Sequence, residues 1–275
     1  MKTRIIFWLA LSLMARPSSA SAQQAGAAVP AYPMPVAIKK PGEIKFKQPS
    51  FTFVRIKYST ADPRRSASGR GTWATDFPDA DLNFTTQFQQ VTGLKSDTNG
   101  MVLELTDPRL KQQPFIYIAE GGRMQLKPEE IKSLRDYLQG GGFLMFDDFW
   151  GEAEWSALQA EMKRVFPERE PVELPIDHAL FHCWYDMKDK PQVPNMMLGI
   201  QSQYGGVTWE RADAKQAHYR GLFDDKGRLM VIFCHNTDLG DGWERAGENE
   251  YYFREFSLKK AYPMGINIVV YALTH

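Results

Sequence analysis

The chain has 275 residues with 33 basic and 33 acidic side chains and 43% apolar content. That balance excludes the one-sided positive field that nucleic acid or anionic lipid requires, and the apolar content excludes a disordered chain and suits one sizeable core. Only two cysteines, Cys183 and Cys234, are present, and their apolar surroundings suit buried free thiols as well as a single bridge.

Residues 1–22 read as a secretory signal peptide: Lys2 and Arg4 lead an apolar run from Ile5 to Ala15, and Ala20-Ser21-Ala22 offers a cleavage site. Its removal takes away Lys2, Arg4 and Arg16 and no acid, leaving 30 basic against 33 acidic side chains. The expected location is therefore outside the cytoplasm, in a periplasm or secreted, with no stable membrane span after cleavage. Residues 23–49, rich in Ala, Pro and Lys, read as a linker, and residues 50–275 as one α/β domain.

Phe51–Lys57 predicts a first strand, followed by a polar loop. Asp79 and Asp81 mark the start of a helix with Leu82, Phe88 and Val91 as its expected buried face. MVLEL (101–105) and FIYIA (115–119) predict short strands. Pro128, Glu129 and Glu130 followed by Ile131, Leu134 and Leu138 predict a helix ending near Gly140. FLMFD (143–147) is a continuously apolar strand, as a sheet buried on both faces requires. Trp155, Leu158, Met162 and Val165 form the apolar stripe of another helix. Residues 167–220 read as irregular, LMVIFCH (229–235) as a buried strand, and residues 256–273 as an apolar helix. This alternation predicts an α/β three-layer sandwich, a mostly parallel sheet flanked by helices.

The segments FVRIKY (53–58), WATDFPDAD (73–81), LRDYLQGGGFLMFDD (134–148), GRLMVIFCHNTDLGDGWE (227–244) and MGINIVVYAL (264–273) resemble those of the bacterial family known as DUF4159, over roughly residues 50–274. The resemblance implies a class I glutamine amidotransferase-like (flavodoxin-like) fold and an envelope context, without a reaction. A true amidotransferase of that fold presents a cysteine at the turn after the strand that follows the glycines. Here the turn reads Phe146-Asp147-Asp148-Phe149-Trp150-Gly151, with no Cys, Ser or Thr, which excludes amide transfer by that mechanism.

Asp147 and Asp148 have three readings: a cap for the helix from Glu152, a polar-ligand contact, or metal ligation and acid catalysis. Asn236, Asp238 and Asp241 are oxygen donors of the kind calcium takes, without EF-hand spacing, and a turn network accounts for them equally. His235 is placed to meet Asp147 or Asp148 across the sheet end. His178 and His182 would share a helix face as zinc ligands do, but no glutamate completes the motif. Arg64, Arg65, Arg70, Trp73 and Asp76 belong to the loop after the first strand, and Trp73, Trp150 and Trp243 flank the strand-end loops.

The leading expectation is a catalytically silent exported domain that binds an envelope protein or a polar ligand through Arg70, Trp73, Asp76, Asp147, Asp148, Trp150, Asn236, Asp238 and Asp241. The alternative is a hydrolase of a glycan or ester using Asp147, Asp148, His235 and Asp238 as acid/base groups or metal ligands. No metal, cofactor or nucleic acid is expected from any complete motif.

Overall fold

A computed structural model describes residues 51–60 and 72–275. The expected signal peptide and linker, and Arg64, Arg65 and Arg70, lie outside the described residues. The strands are β1 (Phe51–Ile56), β2 (Ser96–Leu103), β3 (Phe115–Ala119), β4 (Phe143–Phe149), β5 (Val172–Glu173), β6 (His218–Phe223) and β7 (Leu229–His235). They form one seven-stranded sheet in the order β2-β1-β3-β4-β7-β6-β5. The neighbours from β2 to β7 pair parallel, and β6 is antiparallel to both β7 and β5. The chain builds β2 on one side of β1 and β3 on the other, so the order reverses between β1 and β3. The crevice outside the carboxyl ends of such strands is where open α/β sheets bind ligands.

Helices cover both faces. One core layer joins Phe53, Tyr117 and Met145 to Phe84 and Phe88 of α1 (Asp79–Thr92) and to Ile266 and Val269 of the last helix. The other joins Val54, Ile118 and Phe233 to Leu134 and Leu138 of α2 (Pro128–Gln139) and to Trp155 and Leu158 of α3 (Gly151–Val165). Each fully buried side chain of this size contributes about 1.5–3 kcal/mol relative to exposure. Apart from 3₁₀ turns and a single α-helical turn at Glu250–Tyr252, the remaining helices are α4 (Met196–Gly205), α5 (Leu239–Glu244) and α6 (Tyr262–Thr274), the last continuing a π-helical stretch at Phe253–Ala261. Among the described residues no helix is long and apolar enough to cross a membrane.

α2 starts where its sequence indicates: Pro128 occupies the first turn and Glu130 accepts a bond from the Lys127 N–H at 2.8 Å. Of the glycines behind it, Gly141 takes a positive φ of 105° and Gly142 is needed for contact. A Cβ on Gly142 would lie 2.3 Å from the Tyr137 ring, whose hydroxyl donates to Phe143 O.

Three expectations are corrected. The buried apolar residues of α1 are Ala80, Phe84 and Phe88, while Leu82 and Val91 are half-buried; the helix is rotated because Asp81 must face inward to meet Arg55. β2 begins at Ser96 rather than 101, a polar edge strand with no apolar run to announce it. Residues 167–220 contain α4 and the start of β6, and their middle packs firmly, with Leu180, Phe181, Trp184 and Tyr185 in the core.

Candidate functional site

The carboxyl ends of β1, β3, β4 and β7 meet at a group of acids. Among the described residues, the non-glycine residues with positive φ are Asp76 (63°), Glu120 (50°), Asp148 (53°) and Asn236 (62°). Glu120, Asp148 and Asn236 lie at or just beyond the ends of β3, β4 and β7, and Asp76 lies in the long connection from β1, just before α1. Left-handed backbone is tolerated by Asp and Asn and costly for Glu, and surrounding contacts must hold it.

Arg55 organises the first loop. Its Nε donates to Asp81 at 3.0 Å, and its Nη1 donates to Trp73 O and Thr75 O at 3.0 and 2.9 Å. The guanidinium also lies 4.8 Å from the Tyr117 ring centre. Asp76, next in the chain, is thereby turned toward α5. Thr75 is fixed further by its hydroxyl, which donates to Glu120 Oε1 at 2.8 Å.

Asp147 and Asp148 separate. Asp147 is fully buried, accepts from Tyr117 Oη at 3.1 Å, and accepts the Leu239 and Gly240 N–H groups at 3.3 and 2.9 Å. Burial pushes its carboxyl up to about 7 against those hydrogen bonds. It is a structural acceptor for the start of α5. Asp148 follows in left-handed backbone, where the β4–β7 register shifts, so the two side chains leave the strand differently. Asp148 Oδ1 accepts from Trp150 Nε1 at 3.1 Å. Neither aspartate caps α3: its first N–H groups go to Asn236 Oδ1, from Gly151 at 2.8 Å, and to Asp213 Oδ2, from Glu152 at 3.0 Å.

Asp148 is one corner of a triad. One oxygen each from Asp76, Asp148 and Asp238 lies within 4.8 Å of the other two, and a second set of the same span joins Asp76, Asp241 and Glu244. Burial first, then the neighbouring acids, pushes Asp76, Asp148 and Asp238 well above the usual carboxylate range. Arg55 opposes this at Asp76. In the second set Arg245 Nε lies 2.6 Å from Glu244 and 3.6 Å from Asp241, and Asp241 also accepts from Met196 N–H. Burial holds Glu244 at about 6.

The segment before α4 pins the β7–α5 loop: Val193 N–H donates to Thr237 Oγ1 at 3.0 Å, and Asp238 N–H to Val193 O at 2.8 Å. Gln192 Nε2 donates to Asn236 O at 3.0 Å. Asp238 Oδ1 then caps α5 through the Asp241 N–H at 2.7 Å.

His235 faces away from these acids. Arg220 Nη1 donates to its Nδ1 at 2.8 Å, and since arginine only donates, Nε2 carries the proton and donates to Gly151 O at 3.1 Å. The ring stacks on Phe149 and Trp155 with centroids 5.1 and 5.5 Å away. Burial lowers its pKa to about 4, so it is a neutral packing residue. The expected meeting with Asp147 or Asp148 is replaced by this stack because alternate residues of β7 face opposite layers.

Of the other expected site residues, Trp150 touches Asp148, Trp73 is half-buried beside Phe77 at 6.1 Å, and Trp243 is fully buried against Phe84 at 4.6 Å. His178 and His182 flank a 3₁₀ turn. His178 accepts from Leu180 N–H, and His182 pairs with Asp186 and Ile176 O. Cys183 and Cys234 are both buried, and Cys183 Sγ donates to Asn267 O at 3.1 Å. The sequence reading missed Arg55, Tyr117 and Glu244. The first two interrupt apolar strands at inward positions, which is a readable signal, whereas Glu244 is distinguished only by the fold.

These features define an α/β protein with a cluster of acids at the carboxyl ends of a mostly parallel sheet. Residues 52–273 match the family described as Domain of unknown function (DUF4159), and the chain belongs to that family. No curated protein matches the chain.

Proposed function

We propose that the protein is an exported cell-envelope domain that binds a ligand or protein partner through the acidic strand-end recess, on a class I glutamine amidotransferase-like frame without that family's catalysis. One observation carries this reading: the turn after β4 delivers Asp148 to a group of converging acids instead of a nucleophile. The order β2-β1-β3-β4-β7, reversing between β1 and β3, supports the frame. The signal-peptide pattern at residues 1–22 supports export.

The recess suits a cationic group, because its acids outnumber the two arginines, Arg55 and Arg245, described against them. The rival reading of a hydrolase would have to work without His235, whose two nitrogens are engaged by Arg220 and Gly151 O, and rely on the carboxylates. The test is partner capture from an envelope extract on immobilised protein, comparing wild type with Asp148→Ala. Loss of a captured species in the variant supports the reading. Equal capture by both, or hydrolysis of glycan or ester substrates by wild type, overturns it.

A further inference from the structure

Asp148 arrives from the end of β4 and Asp238 from the loop after β7, and Asp76 points between them from the loop after β1. Asp76 Oδ2 is shut off from solvent and has no hydrogen-bond partner. A buried carboxylate oxygen without a donor is costly, and the Asp76 carboxyl groups with those of Asp148 and Asp238, with Arg55 only partly offsetting the burial and the neighbouring acids. The Asp76/Asp241/Glu244 set differs in having Arg245 against it. Gly240 leaves the space on Asp76 open: a Cβ there would lie 2.5 Å from Asp76 Oδ2.

We propose that Asp76, Asp148 and Asp238 form a binding site for a divalent cation of the calcium type. Three carboxylates, with no histidine or cysteine among them, form the donor set of a hard cation rather than zinc or copper. One oxygen from each lies within 4.8 Å of the other two, close enough for a single ion with calcium–oxygen bonds of about 2.4 Å to meet all three. Magnesium, which keeps most of its waters and usually takes only one or two carboxylates, suits three converging side-chain carboxylates less well. Remaining positions would be filled by water or by a ligand's own oxygens, since Asp148 is only half-buried. No local motif announces the site, because each ligand comes from a different loop.

The inference deepens the binding reading above by naming an ion for the same recess. The test is calorimetric titration of the chelator-treated protein with calcium, magnesium and manganese chloride separately, together with Tm measured with and without each ion. Wild type is expected to bind calcium at one equivalent, more tightly than magnesium, with a higher Tm in its presence. Asp76→Asn is expected to bind at least about tenfold more weakly. Without ion it should be at least as stable as wild type, because it removes repulsion, a result that a merely structural aspartate would not give. Should Asp76→Asn misfold, Asp148→Asn at the half-buried corner gives the same comparison. Absence of binding heat and of any Tm change with all three ions overturns the inference, as does undiminished calcium binding by the folded variant. Partner capture without ion binding overturns this inference alone, and ion binding without capture leaves it standing while removing the partner reading.

Discussion

Arg55 and Asp81 form an ion pair with both side chains withdrawn from solvent, Nη2 to Oδ1 at 2.5 Å and Nε to Oδ1 at 3.0 Å. The pair joins the end of β1 to the first turn of α1. The remaining Arg55 donors reach Trp73 O and Thr75 O, so one guanidinium fixes both the helix and the loop carrying Asp76. Removing one partner strands a buried charge. Arg55→Met is expected to lower stability by about 3–5 kcal/mol in urea unfolding. Arg55→Lys should recover only part of this, because an ammonium lacks the fork that serves three acceptors at once. A loss below 1 kcal/mol in Arg55→Met would contradict this account.

At Gly240 a methyl group would meet Asp76 Oδ2 at 2.5 Å and Tyr117 Oη at 3.0 Å. Gly240→Ala should destabilise by about 1–3 kcal/mol, despite alanine's better helix propensity. Thermal unfolding of the purified variant decides between these opposed effects, and a raised Tm would show that the recess has slack the geometry does not give it.

His235 has a folded pKa of about 4 against an ordinary value near 6.5. Between these values the unfolded chain binds the proton and the folded one does not, so its contribution to stability is fully present above about pH 6.5 and is lost as pH falls toward 4. The size is on the order of 2 kcal/mol. The acids held high by burial act with the opposite sign, so the quantity to measure is the difference between the wild-type and His235→Gln stability profiles. That difference should fall as pH is lowered from 7 to 4; a constant difference would mean that the imidazole is not held neutral.

Asn267 sits within the apolar helix α6, and its Oδ1 accepts the Trp184 and Tyr185 N–H groups at 3.1 and 2.7 Å while Nδ2 donates to Tyr185 O at 2.9 Å. Asn267→Leu leaves two backbone donors and an acceptor without this partner. The expected loss is about 3 kcal/mol, with increased protease cleavage near residues 180–186. Unchanged cleavage there would indicate that the segment is held by its aromatic packing alone.

Cys183 and Cys234 are buried, and burial raises the Cys234 thiol well above its ordinary pKa. Neither thiol should react with a disulfide reagent until denaturant is added, after which both should titrate. Rapid reaction of a thiol in the native protein would refute the packing around it.

Continuously apolar strands such as FLMFD and LMVIFCH were legible because burial on both faces leaves no room for polar alternation. β2 was only partly legible, since an edge strand carries polar residues like Asp97 and Asn99 without penalty. The strand-end region was legible as a place, and Asp76, Asp148, Asp238 and Asp241 do converge there. Their grouping was not legible, because it depends on left-handed turns at Asp76 and Asp148 that tertiary contacts impose. The same dependence misdirected His235: a one-residue difference in facing, fixed by the pairing of β7, sent it to the layer of Phe149 and Trp155.

At the far side of the sheet, β5 is only Val172–Glu173, paired with Gly221 and Arg220 of β6. Glu173 is surrounded by Lys190, His218 and Arg220, which fixes charged groups along that border. A second chain approaching there finds two residues of exposed backbone and a set of hydrated charges instead of a long, flat ladder. The final strand is thus a terminator of sheet growth, protecting the chain from edge-to-edge aggregation during folding and at high concentration.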